Sequence, residues 1–457
     1  MCENGTDMSK LSGIFNLTDI KESLAIAESL ATTALMTSPA AKRRLMARKL
    51  EMGLDSDLEF VPPKQVLLYL VRMGSFSSTA KIENTDSADD DVCETFHPTN
   101  HSKLLNRCRE EIQSMGRPPL LDRKILSIKG EPVPTKRSFL RMLQWNILSQ
   151  SKLLGIDSQS FDSNKVNQET MLNISEELFL CFNGHVFCST ALGVSNDNFV
   201  KTPPESLDWR TRRFYILQEI IQNNPDVICL EEVDHFKFLE SALKSIGYAG
   251  KFFPKPDSPC LYVEGNNGPD GAALFYRTSK FELMSWATRI LEVWHVQSNQ
   301  VGLSCILKEK ETRIEFCVAV THLKAKSGAL LTTLRDHQGR DLLNWLEKFA
   351  GGRPIIIGGD FNAEPSELVY RTLTNHRLNL KSAYCVKGRE PPYTTWKIRE
   401  EGEICHTIDY VIHSDSFSAA AVLDFPDEKT IGPGRVPSLN YPSDHFSLLI
   451  DFDLKEG

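Results

Sequence analysis

The chain has 457 residues, and its 52 basic and 60 acidic side chains give a formal net charge of -8. This acidic balance excludes a protein that coats nucleic acid through bulk positive charge, so an anionic substrate must meet a local group of basic side chains. The 11 cysteines are an odd number and show no CxxC spacing, which favours reduced, mostly buried thiols in an intracellular protein.

Residues 1–95 are predicted to form an N-terminal extension that is partly helical and partly disordered. It ends in an acidic linker at 84–95, which has too little apolar surface to offset the entropy cost of ordering. Acidic residues precede the basic cluster Lys42–Lys49, which is the wrong charge order for a secretory signal. The apolar run Leu24–Met36 is short, so we expect no membrane span. The expected protein is a cytoplasmic monomer, with a mitochondrial form only through another isoform.

The rest of the chain divides into a helical lead-in at 96–135 and a main domain at 136–457. The lead-in carries a predicted helix around Leu104–Ile112. Strong β character begins at 139–145. Residues 151–198 are rich in Ser, Asn and Asp, and we interpret them as a surface insertion because a compact core seldom needs so long a connection.

Strands and helices then alternate through the main domain. Trp209–Ile221 and Leu331–Phe349 are predicted amphipathic helices, and each is followed by an apolar strand, at Val227–Leu230 and Ile355–Ile357. Further predicted strands are Ala272–Tyr276, Gly302–Leu307, Ile314–Val320, Ile408–Ile412 and Phe446–Phe452. Eight or more strands with intervening helices predict an α/β sandwich, in which two sheets pack face to face and polar residues collect at one end.

Polar side chains of catalytic type stand at the ends of these strands. Hydrolysis of a phosphate ester needs a counter-charge, a positioned water and a group that holds the phosphate in line. Glu232 follows the strand Val227–Leu230, and a carboxylate there suits Mg²⁺, which prefers oxygen ligands. Asn146 ends the first strand and is a second candidate contact for that site. Taken alone, Glu232 is equally well explained as a solvated strand end.

Asp360 and Asn362 follow the run Ile355–Gly359, which is typical of a buried strand. Residues i and i+2 of an extended segment point the same way, so the sequence predicts that both side chains face one site. The carboxylate is a candidate base or water-orienting group, and the amide is a candidate donor to a phosphate oxygen. Asp-x-Asn is also a common turn signature.

Asp409 and His445 form a candidate carboxylate and imidazole pair. The acid would fix the imidazole tautomer and favour the charged form beside a phosphate. A lone histidine is more often a packed or surface residue, but His445 immediately precedes an apolar strand, as the other polar motifs adjoin theirs.

A basic group follows the strand Ile314–Val320. His322 closes this strand, Lys324 and Lys326 come next, and Lys255 lies in a separate segment. Ammonium groups near a catalytic strand end are candidate anion receptors on an acidic protein, although a solvated basic loop explains them too. The loop at 266–271 includes Asn267 and Asp270 as candidate pocket residues, and turn chemistry explains that loop equally well.

These motifs occur in an order that resembles a known family. The series is Trp145-Asn146, Glu232, Gly268-Pro269-Asp270-Gly271, His322, Gly359-Asp360-Phe361-Asn362, Asp409 and Ser443-Asp444-His445. It is similar to the exonuclease-endonuclease-phosphatase superfamily, in its deadenylase-related branch, from about Leu104 to Asp453. The resemblance implies a four-layer α/β/β/α sandwich with one principal Mg²⁺ at Glu232.

The resemblance also implies roles for the other residues. Asp360 would orient or deprotonate the attacking water, and Asn362 with His322 would stabilise the phosphate oxygens. His445, oriented by Asp409, would hold the scissile group.

The activity that the resemblance implies is removal of the 2′-phosphate from NADP+ and NADPH, with Lys255, Lys324 and Lys326 binding the dinucleotide phosphates. Two residues depart from the family pattern. Lys326 stands where Arg is expected, which loses a planar two-pronged donor, and Glu231 stands where Gln is more usual.

Two other functions remain as alternatives. The first is a poly(A)-specific 3′-exoribonuclease acting on RNA, which the net acidity and the absence of a leucine-rich repeat disfavour. The second is an inert scaffold that binds a partner through the N-terminal region. It is disfavoured because every expected catalytic position carries a competent residue.

Overall fold

The computed structural model describes residues 96–128, 139–149, 199–262, 267–294, 296–386, 388–400 and 402–455. The predicted N-terminal extension and the predicted insertion at 151–198 therefore lie outside the described residues. Within these ranges, none of the helices combines the length and the apolar character that crossing a membrane requires. The seven cysteines in these ranges are free, and five of them are buried.

The described strands form two large sheets and one small hairpin. In chain order they are β1 (Ile125–Ser127), β2 (Leu140–Asn146), β3 (Val227–Val233), β4 (Tyr248–Pro254), β5 (Gly271–Arg277), β6 (Phe281–Val293), β7 (Val296–Glu309), β8 (Glu315–His322), β9 (Ile355–Asp360), β10 (Leu380–Ser382), β11 (Thr395–Arg399), β12 (Gly402–His406), β13 (Asp409–Ser414), β14 (Phe417–Leu423) and β15 (Leu448–Leu454). The first sheet has the order β1-β14-β15-β2-β3-β5-β4, and the second has the order β10-β13-β9-β8-β7-β6. Strands β11 and β12 form the hairpin.

Helices cover the outer faces of the two large sheets. They are α1 (His101–Ser114), α2 (Trp209–Asn223), α3 (Phe236–Ser245), α4 (Ala329–Ala350), α5 (Leu368–Thr374) and α6 (Glu428–Ile431), with short 3-10 helices at Pro204–Ser206 and Pro259–Tyr262. Helix α2 begins after Asp208, whose side chain accepts a hydrogen bond from the Arg210 N–H. Helix α4 ends at Ala350 and is capped by Gly351 in the left-handed conformation (φ 56°), where glycine carries no side-chain penalty.

Three apolar clusters separate four layers. The middle cluster lies between the sheets and includes Met142 of β2 and Ile356 of β9. A second packs the other face of the first sheet against α1, α2 and α3, and a third packs Ile355 and Ile357 against α4 and α5. Because alternate residues of β9 face different layers, its apolar run is continuous. The predicted α/β/β/α sandwich is confirmed.

Two pairs of described strands are parallel, and both help to build the polar rim. Strand β2 pairs with β3, and β8 pairs with β9, so each pair ends at the same edge of its sheet. Asn146 is thereby aligned with Glu231, and His322 is aligned with Asp360. Strand β13 runs antiparallel to β9 and places Asp409 opposite Asp360. The topology thus gathers polar residues that are distant in sequence.

Candidate active site

One amide joins the polar ends of the two sheets. The Asn146 Nδ2 atom lies 3.2 Å from Glu232 Oε1 and 3.0 Å from Asp360 Oδ2. Glu232 belongs to the first sheet and Asp360 to the second, and all three side chains are buried. The predicted metal ligand and the predicted base therefore share a hydrogen-bond donor at the common rim.

Glu232 reaches this rim through an irregularity in β3. The register with β5 shifts between Leu230 and Val233, and Glu232 has a left-handed backbone with φ 54°. Such a conformation costs about 1–3 kcal/mol at a residue other than glycine, and it is concentrated at functional sites. The carboxylate accepts hydrogen bonds from the Ser149 N–H (3.1 Å) and hydroxyl (3.2 Å). Burial raises the pKa of Glu232 to about 7, with Asp444 adding to the shift and Lys255 opposing it.

Asp360 and Asn362 meet, although not in the predicted way. Strand β9 ends at Asp360, and Asn362 has a left-handed backbone with φ 49°, so the expected alternation of an extended segment does not apply. The premise of an extended segment was wrong because the chain turns at this point, yet both side chains lie beside His322, whose Nε2 atom is 2.9 Å from Asn362 Nδ2 and 3.6 Å from Asp360 Oδ2. The Asn362 N–H instead donates to Asp360 Oδ1 at 2.9 Å. Burial, reinforced by the charge of Asp409, raises the pKa of Asp360 to about 6.

Asp409 and His445 form a direct pair. The His445 Nδ1 atom lies 2.9 Å from Asp409 Oδ2, which also accepts a hydrogen bond from the Thr394 hydroxyl at 2.6 Å. Although burial lowers the pKa of His445, the surrounding carboxylates of Asp409, Asp444 and Asp360 outweigh it and raise the pKa to about 9. Since the Nδ1 hydrogen is directed at Asp409, the Nε2 atom faces the site, 3.8 Å from Asp360 Oδ2.

His322 lies on the other side of Asp360, with its Nε2 atom 3.6 Å from Asp360 Oδ2. Burial and the positive charges of Lys255 and His445 lower the pKa of His322 well below its usual value, so this imidazole is neutral. Its Nε2 atom contacts Asn362 Nδ2 at 2.9 Å, and the same amide also donates to the Leu323 carbonyl at 3.1 Å. Both hydrogens of the Asn362 amide are therefore already engaged.

Lys255 is a buried cation beside the rim. Its Nζ atom lies 2.6 Å from Asp270 Oδ2. Although burial lowers the pKa of Lys255, the carboxylates of Asp270 and Glu232 raise it above its usual value, so the side chain is charged. Asp270 thus lies in the predicted pocket as the partner of Lys255 and of the Ser258 hydroxyl.

The other predicted pocket residues lie in two loops. Lys324 is buried and Lys326 is half-buried, both in the loop that follows β8. Asn267 is the exposed member of the predicted set, and its Nδ2 atom lies 2.6 Å from His235 Nε2. This contact connects Asn267 to His235 rather than to the catalytic acids.

Several polar residues of this region were not predicted. Asp444 is buried against Lys397 and Arg399. Thr394 binds Asp409, and Ser149 binds Glu232. Asp444 belonged to the Ser443-Asp444-His445 motif of the series, so a signal existed for it. Ser149 carried none, because its role depends on where β2 ends relative to β3.

Two sets of residues could hold a divalent cation. In the described part of the chain, one group has three ligand atoms within 4.8 Å of one another, namely Asp360, Asp409 and His445. The His445 Nδ1 atom is directed at Asp409 Oδ2 at 2.9 Å, so this trio also forms a hydrogen-bonded relay. Glu232 is a buried carboxylate whose excess negative charge a hard cation would neutralise. Its oxygen donors fit Mg²⁺.

The fold and this rim define a phosphoester hydrolase, and comparison with known proteins gives the family. The Endonuclease/Exonuclease/phosphatase family matches residues 143–445 of the chain. Nocturnin of Drosophila melanogaster is 43% identical, with 95% of this chain and 73% of that protein covered. Nocturnin of Homo sapiens is 39% identical, with 85% of this chain and 82% of that protein covered.

A solved structure agrees with these relatives. The human Nocturnin catalytic domain with bound sulfate anion has a TM-score of 0.55 and 36% sequence identity, covering 74% of this chain and 100% of that chain. The chain therefore belongs to the endonuclease/exonuclease/phosphatase family and, within it, to the Nocturnins. It is a metal-dependent hydrolase of the deadenylase-related branch, as its motifs predicted.

Proposed function

We propose that this protein is a Mg²⁺-dependent phosphatase that removes the 2′-phosphate of NADP+ and NADPH, giving NAD+ and NADH. One observation carries the reaction type. The Asp360 Oδ2 atom lies 3.0 Å from Asn146 Nδ2, 3.6 Å from His322 Nε2 and 3.8 Å from His445 Nε2. A base encircled by hydrogen-bonding groups at this spacing suits a single phosphate and its attacking water.

Asp360 is the proposed base. A carboxylate whose pKa is raised to about 6 accepts a proton from water more readily than an ordinary aspartate and is still largely ionised at neutral pH. The Asn362 N–H holds Oδ1 and the Asn146 amide holds Oδ2, so the carboxylate keeps one orientation. Mg²⁺ bound at Glu232 would supply positive charge that polarises the phosphate and lowers the cost of the developing anion.

His445 is the proposed holder of the scissile phosphate. Its pKa of about 9 keeps the imidazole charged at neutral pH, so its Nε2–H can donate to a phosphate oxygen. Asp409 receives the Nδ1–H and thereby fixes the ring. Neutral His322 contributes no charge, and its Nε2 atom, which here accepts from the Asn362 amide, can donate to a phosphate oxygen only in the other tautomer. Asn362 can donate to the phosphate only after releasing His322 or the Leu323 carbonyl.

The substrate class rests on the family resemblance and on the local basic residues. Lys255, Lys324 and Lys326 offer positive charge near the rim of a protein whose overall charge is -8, which favours a small anion over a long polyanion. The sulfate held by the human Nocturnin domain supports an oxyanion site in this fold. A dinucleotide carrying a terminal 2′-phosphate fits both conditions.

A side-by-side assay tests this proposal. Purified protein with Mg²⁺ is incubated with NADP+, with NADPH and with a poly(A) oligomer, and phosphate and adenosine monophosphate are measured. We expect phosphate from both dinucleotides and little adenosine monophosphate. Release of adenosine monophosphate from poly(A), without phosphate from NADP+ or NADPH, would replace the proposal with the exoribonuclease alternative.

A further inference from the structure

Two buried arginines connect the outer helices to the active-site loops. Arg212 lies on α2 and Arg335 on α4, and each is only 1% exposed. These helices precede β3 and β9, the second strands of the two parallel pairs. Each arginine reaches the loop that follows the first strand of its pair. The same device thus occurs once in each half of the sandwich.

Arg212 joins two segments of the reacting centre. Its Nη2 atom donates to the carbonyls of Ile147 and Leu148, and the Leu148 contact measures 2.6 Å. Its Nε atom donates to the Pro442 carbonyl at 2.6 Å. Ile147 and Leu148 directly follow Asn146, and Pro442 stands three residues before His445. The guanidinium therefore fixes the loop that carries Asn146 relative to the loop that carries His445.

A second contact joins the same two segments. The Ser443 hydroxyl donates to the Asn146 carbonyl at 2.6 Å, and the His445 N–H donates to Ser443 Oγ at 3.1 Å. The Asn146 Oδ1 atom also accepts from the Leu148 N–H at 3.0 Å, which fixes the amide that bridges Glu232 and Asp360. The segment held by Arg212 thus determines where that amide points.

Arg335 holds the basic loop instead. Its Nη1 atom donates to the Lys324 carbonyl at 3.0 Å and to the Lys326 carbonyl at 2.7 Å. The Glu367 carboxylate receives its Nε and Nη2 hydrogens at 3.1 and 2.6 Å, which fixes the plane of the guanidinium. Neither Asn146 nor His445 is among these partners of Arg335. Its influence falls on the two lysines that follow β8.

Each loop contains a strained residue whose carbonyl the arginine holds. Leu148 has φ 63° and Lys326 has φ 80°, both in the left-handed region. A non-glycine residue in that region is strained and keeps this conformation only where surrounding contacts hold it. A planar guanidinium can hold several carbonyls at fixed angles, whereas a lysine ammonium is a single flexible point charge. Loss of either fork would let its loop relax.

We propose that Arg212 and Arg335 are positioning residues with separate roles in catalysis. Arg212 aligns Asn146 with His445 and so sets the rate of the chemical step. Arg335 aligns Lys324 and Lys326 and so sets the affinity for the anionic substrate. This division rests on the proposed function for the identity of that substrate and for the roles of Asn146, His445, Lys324 and Lys326.

The test compares Arg212→Lys with Arg335→Lys in the full chain. We expect Arg212→Lys to lower kcat about tenfold or more with KM within about threefold of wild type, because misaligned catalytic groups reduce only the chemical step. We expect Arg335→Lys to raise KM about tenfold with kcat within about threefold. General destabilisation would not lower kcat alone in one variant and raise KM alone in the other.

Arg141→Lys is the matched control. Arg141 donates from Nε and Nη2 to both oxygens of Asp451, at 2.6 and 2.7 Å, near the start of β2 and away from the rim. This substitution removes an equivalent fork, so it should lower the melting temperature without changing either kinetic parameter. The proposal fails if Arg212→Lys and Arg335→Lys have the same effects on kcat and KM as each other. It also fails if Arg141→Lys changes kcat or KM as strongly as they do.

Two further measurements keep the test decisive. NADPH affinity in Ca²⁺ should weaken about tenfold for Arg335→Lys and stay unchanged for Arg212→Lys, whether or not NADPH is hydrolysed. If a lysine variant does not fold, Glu367→Gln replaces it on the Arg335 side and Ser443→Ala on the Arg212 side, with the same directions expected. Kinetics are measured on whichever of NADPH and poly(A) the wild type hydrolyses. If the wild type hydrolyses poly(A) but not NADPH, the proposed function is overturned. The separate roles of Arg212 and Arg335 are then tested by the kinetics on poly(A).

Discussion

The two parallel strand pairs are alike in topology and different in chemistry. The pair β2 and β3 brings Asn146 and Glu232 to the rim, and the pair β8 and β9 brings His322 and Asp360. Glu232 accepts hydrogen bonds from the Ser149 N–H and hydroxyl and from the Asn146 amide, which are neutral donors, a setting suited to a bound cation. Asp360 lies between two imidazoles, a setting suited to a base and a bound phosphate. One architecture thus builds two half-sites.

Replacement of Glu232 should have the largest effect on the comparison. Glu232→Gln removes the charge that would hold Mg²⁺, so we expect kcat/KM to fall at least about a thousandfold, with the remaining rate independent of added Mg²⁺. Steady-state phosphate release across a Mg²⁺ titration measures both effects. Glu282→Gln, at an exposed position on β6, is the control and should behave as wild type.

Asp409→Asn should damage the second half-site less severely. Without the carboxylate, the pKa of His445 falls and its ring loses a fixed orientation, so we expect kcat to fall about a hundredfold while the Mg²⁺ requirement remains. Phosphate release at saturating Mg²⁺ gives kcat. An unchanged kcat would remove His445 and its partner from the mechanism.

Lys326→Arg should improve binding modestly. A guanidinium offers the planar pair of donors that the family pattern has at this position, so we expect KM for NADPH to fall about threefold with kcat unchanged. The measurement is a substrate titration of both proteins at one ionic strength. An unaltered or higher KM would indicate that this side chain does not face the substrate phosphates.

The smallest expected effect is on stability at alkaline pH. The pKa of His445 is raised to about 9, so its contribution is full below its unfolded value of about 6.5 and is lost as pH rises through about 9. Melting in EDTA at pH 6.5 and 9.5 should therefore show a larger drop for wild type than for Asp409→Asn, by about 2–4 °C. Equal drops would contradict a folded-state interaction between these residues.

The sequence predicted the strands that carry the site better than the strands that frame it. Val227–Leu230 and Ile355–Ile357 are continuous apolar runs, because each strand is buried on both faces. Strand β6 was missed because it lies at a sheet edge, exposes Met284 and Trp286, and carries two register shifts. Edge strands lack the uniform burial that makes a sequence pattern readable.

Residue types were easier to predict than their partners. Asp409 and His445 were paired correctly because an acid next to an imidazole is a common arrangement, and the structure brings them within 2.9 Å. Lys255 was expected to bind substrate together with Lys324 and Lys326. Its ion pair with Asp270 was not expected, because it depends on how β4 pairs with β5. Asn362 was expected to lie on an extended segment, but its backbone is left-handed and the chain turns there.

The central claim is that the two half-sites act on one phosphate, and a double-mutant cycle tests it most directly. Residues that act as one catalytic unit are strongly non-additive. We predict that Glu232→Gln combined with Asp409→Asn will release phosphate from NADPH no more slowly than Glu232→Gln alone, within about threefold. If the two losses multiply in full, the half-sites act independently and a shared reacting centre is contradicted.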